Sequence, residues 1–158
     1  MARSAGGRKI VLRNRKARHE FHVLEELEVG LVLEGAEVKS LRAGKASFND
    51  AYAVVEDGEL WLHNLHISPY ESAHIDLPDP LRRRKLLVNR RELNRLAVKT
   101  AERGFTLVPL DLHFTRGRAK VSLGLARGKK LHDKRESLKK DVMRREVERA
   151  LHGSRERE

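Results

Sequence analysis

FTLVPLDLHFTRGRAKVSLGLA, residues 105–126, is the stretch whose reading decides the fold. From Phe105 to Phe114, alternation places Val108, Leu110, Leu112 and Phe114 on one face. From Ala119 to Ala126 it does the same for Ala119, Val121, Leu123 and Leu125. Period-two alternation is the mark of a strand with one buried and one wet face. Thr115-Arg116-Gly117-Arg118 lies between the two runs, so the pair reads as an antiparallel hairpin.

Working outward, a second pair of β-rich runs occupies about 48–56 and 59–67, joined by Glu56-Asp57-Gly58-Glu59. Asp-Gly between such runs is a strong hairpin signal. The loop Ser68–Pro80 contains Pro69, Pro78 and Pro80, which no long element can cross. A helical region is expected next, in two parts. Leu81 to Val88 forms a short first piece. Asn89 then stands three residues before Glu92, the spacing of an N-cap and its box partner, and Leu93, Leu96 and Ala97 follow at helical spacing up to a stop at Gly104. Toward the N-terminus, residues 9–33 carry β-favouring Ile10, Val11, Leu12, Phe21, Val23 and Leu31 to Leu33. EVKSLRAG, 37–44, reads as a short helical turn ended by Gly44. Five or six antiparallel strands with a helical insert make a mainly-β chain. The simplest architecture is a small closed or partly open barrel, OB-like, with peripheral helices. The barrel is assigned to 9–126, a disordered N-terminus to 1–8, and a basic C-terminal tail to 127–158.

Charge is divided unevenly along the chain. Residues 1–20 hold seven bases and one acid, 21–77 three bases and eleven acids, and 78–126 twelve bases and four acids. Arg127 to Leu151 adds ten bases against five acids. In that tail Glu136 precedes Lys140 by four residues and Asp141 precedes Arg145 likewise, pairs worth roughly 0.2–0.5 kcal/mol each to a helix. Leu131, Leu138 and Val142 share a helical face, but Val147 and Leu151 drift off it. A helix without a continuous apolar face has little to bury, and alone it is marginal in water. The tail is therefore read as loose when free and helical against a polyanion, the alternative being a merely solvated surface helix.

The chain has no cysteine, which excludes disulfides and Cys-ligated zinc and suits a reducing cytoplasm. No apolar run approaches the roughly 18 residues of a membrane span, and MARSAGGRK lacks a signal-peptide core. A soluble cytoplasmic protein with no membrane partner is expected. His63 and His66, three apart on one strand, should face opposite ways, and no nearby cluster completes a zinc site, so no metal is expected. Glu25, Glu26 and Glu28 have neither a nucleophile nor a glycine-rich phosphate loop beside them. The chain reads as no enzyme and needs no cofactor.

RNA binding fits better. Basic groups recur at Arg13, Arg15, Lys16 and Arg18, at Arg82, Arg83, Arg84 and Lys85, and in the tail. Lysine and arginine neutralise phosphates. Aromatics make up only 4% of the chain, which argues against extended stacking on unpaired bases and for recognition of a folded RNA by backbone and shape. No helix-turn-helix, zinc finger or zipper suggests a DNA reader.

GAEVKSLRAGK (35–45), DPLRRRKLL (79–87), TLVPL (106–110) and GKKLHDKRE (128–136), with NRKARHEF (14–21) and SPY (68–70), together resemble the SsrA-binding proteins, also called small protein B. The likeness runs from about residue 10 to 150 in one order. It implies an OB-like barrel with a tail unstructured in solution. It also implies a non-enzymatic adaptor of trans-translation, which binds the tRNA-like domain of transfer-messenger RNA and delivers it to stalled bacterial ribosomes. Elongation factor Tu with the charged RNA and small-subunit rRNA are implied partners, with the protein a monomer in the complex. The implied transfer-messenger-RNA positions are Asn14, Lys16, Glu28, Leu87, Asn89 and Lys120. Asn89 is also explained as a helix cap, Leu87 as core, and Glu28 suits acceptance of base or ribose donors rather than phosphate. Lys120 suits a phosphate. In the tail the implied decoding-site positions are Gly128, Lys129, Lys130, His132, Asp133, Lys134 and Arg135. His132 is suited to stack on an exposed base, and Gly128 to release the chain from the last strand. His113 stands where the family usually has Tyr, Val88 where it usually has Leu, and the loop at 71–77 is less glycine-rich than usual. A structural ribosomal protein shares this composition; the motif strings favour the adaptor.

Overall fold

The computed structural model describes residues 7–70, 78–129 and 144–145. They form seven strands: β1 (Arg8–Arg13), β2 (Phe21–Leu31), β3 (Ala46–Glu56), β4 (Glu59–Ile67), β5 (Arg84–Leu87), β6 (Phe105–Thr115) and β7 (Arg118–Gly128). Three helices are described: α1 (Ala17–Glu20), α2 (Gly35–Arg42) and α3 (Arg90–Ala101). The order β6-β3-β4-β5-β2-β7 closes on itself through β6–β7, giving a six-stranded antiparallel barrel with β1 laid along β6 outside the ring. A mainly-β barrel with peripheral helices is the class read from the sequence.

Both hairpins form as expected. Asp57 and Gly58 have φ of 51° and 73°, and Arg116 and Gly117 of 51° and 77°, two successive left-handed residues in each turn. That is the mirror-image turn whose twist matches paired strands. Inside the ring, Leu60, Leu62, Leu65, Leu107, Leu112, Val121 and Leu123 are at most 1% exposed. Burying a leucine contributes about 1.5–3 kcal/mol, so this interior dominates the fold's stability. Leu41 from α2 and Leu93 and Leu96 from α3 pack into the same core.

Three expectations are corrected. Residues 84–87 are not helical: β5 pairs with both β4 and β2 and completes the ring. Its alternation is hidden because one inward position is an arginine. Arg84 is fully buried beside Leu86, while Lys85 and Leu87 turn outward. Arg84 Nε donates to Glu37 Oε2 at 2.7 Å, and its terminal nitrogens donate to the carbonyls of Leu65, Arg82 and Pro80. Burial pulls the guanidinium pKa down, and Glu37 offsets part of that.

Second, Val108 and Leu110 do not share a face with Leu112 and Phe114. Pro109 pairs with Leu123 and Asp111 with Ser122, so Leu110 is an extra residue in β6. Such a bulge reverses which face later side chains take. Leu112 and Phe114 enter the barrel, whereas Val108 and Leu110 join Ala17, Ala126, Phe21 and Val23 in a small outer cluster beneath α1. β4 also reverses its face, where Leu62 and Leu65 are both buried on either side of Asn64 at φ 65°, opposite a bulge in β3. His63 and His66 therefore share the outer face rather than opposing ones.

Third, the barrel outruns its expected limits. β1 already includes Arg8, and Gly128 does not release the chain: it pairs with Phe21 inside β7. The Lys129 backbone N–H continues the ladder to Glu20 O at 2.9 Å.

Candidate nucleic-acid interface

On β2, Val29 and Leu31 point into the barrel, so Glu28 and Gly30 face out. Val121 points in on β7, so Lys120 faces out, and Leu86 points in on β5, so Leu87 faces out. Leu87 pairs with Gly30 and Gly30 with Lys120, which sets Leu87, Gly30 and Lys120 in one row across three strands. Leu87 is 53% exposed and is not core. A methyl on Gly30 would lie 3.2 Å from Leu87 Cβ, so glycine is what lets that leucine lie close across the row.

Glu28 stands beside this row and is fully engaged. Lys120 Nζ donates to its Oε1 at 3.0 Å, and His113 Nε2 lies 2.9 Å from its Oε2. These bonds, that of Lys120 first, hold the Glu28 carboxyl below its ordinary pKa. His113 is fully buried, with Nδ1 2.7 Å from Asp111 Oδ1. Arg8 closes the chain, donating to Asp111 Oδ2 at 2.7 Å and to Ser122 Oγ at 3.0 Å. A line of hydrogen-bonded polar side chains thus crosses β2, β7, β6 and β1.

One residue past β5 and Val88, Asn89 caps α3. Its Oδ1 accepts the Glu92 backbone N–H at 2.8 Å, as the spacing predicts. The Glu92 carboxylate serves Arg95 instead of returning to the cap, and Arg95 also grips Glu25 on β2. Asn89 and the next two residues, Arg90 and Arg91, are exposed. Glu28, Leu87, Asn89 and Lys120 are therefore gathered on one outer face.

Asn14 and Lys16 lie elsewhere, at the far end of β1. Asn14 Nδ2 donates to Pro109 O and its backbone N–H to Leu110 O, both at 2.8 Å, so this side chain holds the β6 bulge. Arg13, Arg15 and Lys16 are exposed around it, and Arg18 pairs with Glu26. The run 82–85 is a different matter. Arg82 and Arg84 are bound to Glu37, Arg83 lies over the Trp61 ring at 3.8 Å and pairs with Glu56, and Lys85 pairs with Glu59. It is mostly structural, not a free phosphate-binding patch.

Of the tail positions, Gly128 and Lys129 are described, and Lys129 Nζ donates to Arg18 O at 2.9 Å. Lys130, His132, Asp133, Lys134 and Arg135, and the expectation that the tail is loose when free, lie outside the described residues, as do residues 1–6.

A barrel bearing a polar, partly basic outer row and rooting a basic extension narrows the relatives to seek, and residues 11–153 match the family model described as SmpB protein. The chain belongs to the SmpB protein family. The SsrA-binding protein of Syntrophomonas wolfei is 54% identical to it over 151 residues, 96% of each chain. That of Geobacillus thermodenitrificans is 52% identical over 146 residues, 92% of this chain and 94% of the relative. Among solved structures, a chain from "tmRNA-SmpB: a journey to the center of the bacterial ribosome" superposes with a TM-score of 0.64 at 55% identity, covering 76% of this chain and 85% of that one.

Within this SmpB barrel, sequence reasoning missed Arg8, Asp111 and His113 as supports of Glu28 and Lys120. It also missed Arg90 and Arg91, which two bases directly after a cap signal could have revealed. No described helix is long and apolar enough to cross a membrane.

Proposed function

We propose that this chain is the adaptor of trans-translation: it binds the tRNA-like domain of transfer-messenger RNA and brings it to stalled ribosomes. The observation that carries the reading is the gathering of Glu28, Leu87, Asn89 and Lys120 on one outer face, in a chain whose relatives are SsrA-binding proteins. Lys120 supplies a cation to a phosphate, Leu87 an apolar contact, and Asn89 with Arg90 and Arg91 a polar helix end. Glu28 tethers the Lys120 ammonium by one oxygen and is itself oriented by His113 through the other. Such a surface reads a folded RNA by shape and backbone, because it offers no run of stacking rings. The barrel acts as a monomer alongside elongation factor Tu and the charged RNA, with no chemistry of its own. The tail, through Lys129, Lys130, His132, Asp133, Lys134 and Arg135, enters the empty decoding site and mRNA channel and becomes helical there.

Sequencing the RNA that copurifies with the full chain tests this. One small structured RNA, selectively retained, is the expected outcome. Stoichiometric co-sedimentation with every small or large subunit would instead make the chain a structural ribosomal protein.

A further inference from the structure

A cleft of about 330 Å³ opens at the far end of β1, lined by Asn14, Lys16, Asn49, Asp50, Tyr52 and Val108 among others. Its volume lies at the small end of the range, about 300–1,000 Å³, that holds small organic groups. One wall is built by a distortion of β3. Phe48 pairs with Leu65 and Tyr52 with His63, so three residues of β3 stand opposite Asn64 alone. Asp50 and Asn64 both take left-handed φ, 54° and 65°, and Asn64 Nδ2 reaches Asp50 O at 3.5 Å. Asn and Asp tolerate that region, but the conformation is costly and is commonly kept where a surface must be shaped. Bulges of this kind re-aim neighbouring side chains.

Tyr52, just after the bulge, has an unusual setting for an outer-face aromatic. It is 40% exposed, and one face of its ring is stacked on His63, with centroids 5.1 Å apart and planes 9° from parallel. His63 is fixed in turn by a hydrogen bond to Glu56. A ring already immobilised on one side loses little entropy when a second flat group stacks beside it. Lys16 lines the cleft, and the exposed Arg13 and Arg15 are chain neighbours of Asn14 and Lys16. The cleft thus combines a stacking surface, the short polar side chains of Asn14, Asn49 and Asp50, the Glu20 carboxylate and one cation, Lys16, contacts of the kind an unpaired nucleotide uses.

We propose that this cleft receives one unpaired base from a loop of the tRNA-like domain, stacked against Tyr52, with its phosphate at Lys16. The proposal rests on the function given above and adds a second contact, away from the Glu28–Lys120 row. Asn49 and Asp50 face the base edge as acceptors for its amino and imino hydrogens. Asn14, whose Nδ2 is committed to Pro109, has its Oδ1 left to accept as well.

The test titrates the full-length chain and its Tyr52→Ala, Tyr52→Leu and Tyr52→Phe variants with the tRNA-like domain over a range of salt. Stacking on an aromatic is sequence-tolerant, and its loss should lower affinity about tenfold in Tyr52→Ala and Tyr52→Leu, with Tyr52→Phe within about twofold of wild type. The salt slope should not change, because stacking displaces no counterion, whereas Lys16→Ala should shrink it. In parallel, the domain transcribed with 4-thiouridine or 6-thioguanosine is irradiated on the protein, and the crosslink is expected within residues 48–52 from an unpaired position. Tyr52→Leu keeps apolar bulk on the strand, so superimposable circular dichroism with weakened binding separates stacking from misfolding. Wild-type affinity in both Tyr52→Ala and Tyr52→Leu, or crosslinks from the bound domain that all fall outside residues 48–52, would overturn the proposal while leaving the adaptor role standing. If the wild-type chain does not prefer the tRNA-like domain to an unrelated hairpin, the adaptor role fails first and the cleft's occupant with it.

Discussion

Lys120 and Glu28 meet across β7 and β2 at 3.0 Å, and the pair is open to solvent on one side. An exposed pair of this kind stabilises a fold by about 0–1 kcal/mol, so folding does not explain why it is built. Its effect is to hold an ammonium over the outer face. Replacing Lys120 with Ala should leave the melting temperature nearly unchanged, weaken binding to transfer-messenger RNA, and reduce the salt slope by about one. Titration at several salt concentrations reads this directly; an unchanged slope would mean that Lys120 meets no phosphate.

Asn89 invites a test that separates its two roles. Asn89→Ala removes the acceptor for the Glu92 N–H and should cost about 1 kcal/mol, read as a lower urea midpoint. Asn89→Asp keeps a good cap, so stability should hold, yet it places a negative charge beside Leu87 and Arg90 where RNA is expected. Binding should fall in both variants, and stability in only one. If Asn89→Asp binds RNA as wild type does, Asn89 is a cap and nothing more.

Glu37 supports a pH prediction. Burial alone would raise its pKa, but hydrogen bonds from Arg82, the Glu34 N–H and Arg84 outweigh that and hold the carboxyl below the ordinary value. A carboxylate lowered by folding contributes stability that is complete above its unfolded pKa, about 4.3, and is lost as pH falls through the lower folded value. Urea midpoints should therefore drop below about pH 4 in the wild type. Glu37→Ala, which strands the buried Arg84 guanidinium, should cost about 3–5 kcal/mol at neutral pH and flatten that acid decline.

What the sequence revealed and what it hid divide along a physical line. Hairpin turns, the Asn89 cap and the Gly44 stop depend on neighbours in the chain, and each formed where its local signal stood. β5 was lost because period two is read from apolar residues, and its inward Arg84 is tolerated only because Glu37, distant in sequence, meets it inside. Faces were misassigned where the pairing is irregular: Leu110 is an extra residue in β6, and at Asn64 β4 turns over opposite three residues of β3, so later positions change face. The candidate site followed the same rule. Glu28, Leu87, Asn89 and Lys120 came from motif likeness, but no sequence pattern could show that His113 bridges Glu28 to Asp111, because that bridge joins different strands of a closed ring.

The tail supplies the last prediction. Lys129 is fastened at the barrel's rim, through its backbone to Glu20 and through Nζ to Arg18, so the extension leaves beside the basic 13–18 segment. Replacing Lys129, Lys130, Lys134 and Arg135 together with Ala should leave affinity for the tRNA-like domain largely intact while abolishing tagging of the stalled peptide. A binding titration and a peptide-tagging assay on stalled ribosomes, run on the same preparation, read the two arms. Parallel loss of both activities would mean that gripping the RNA and engaging the ribosome are not separable in this chain.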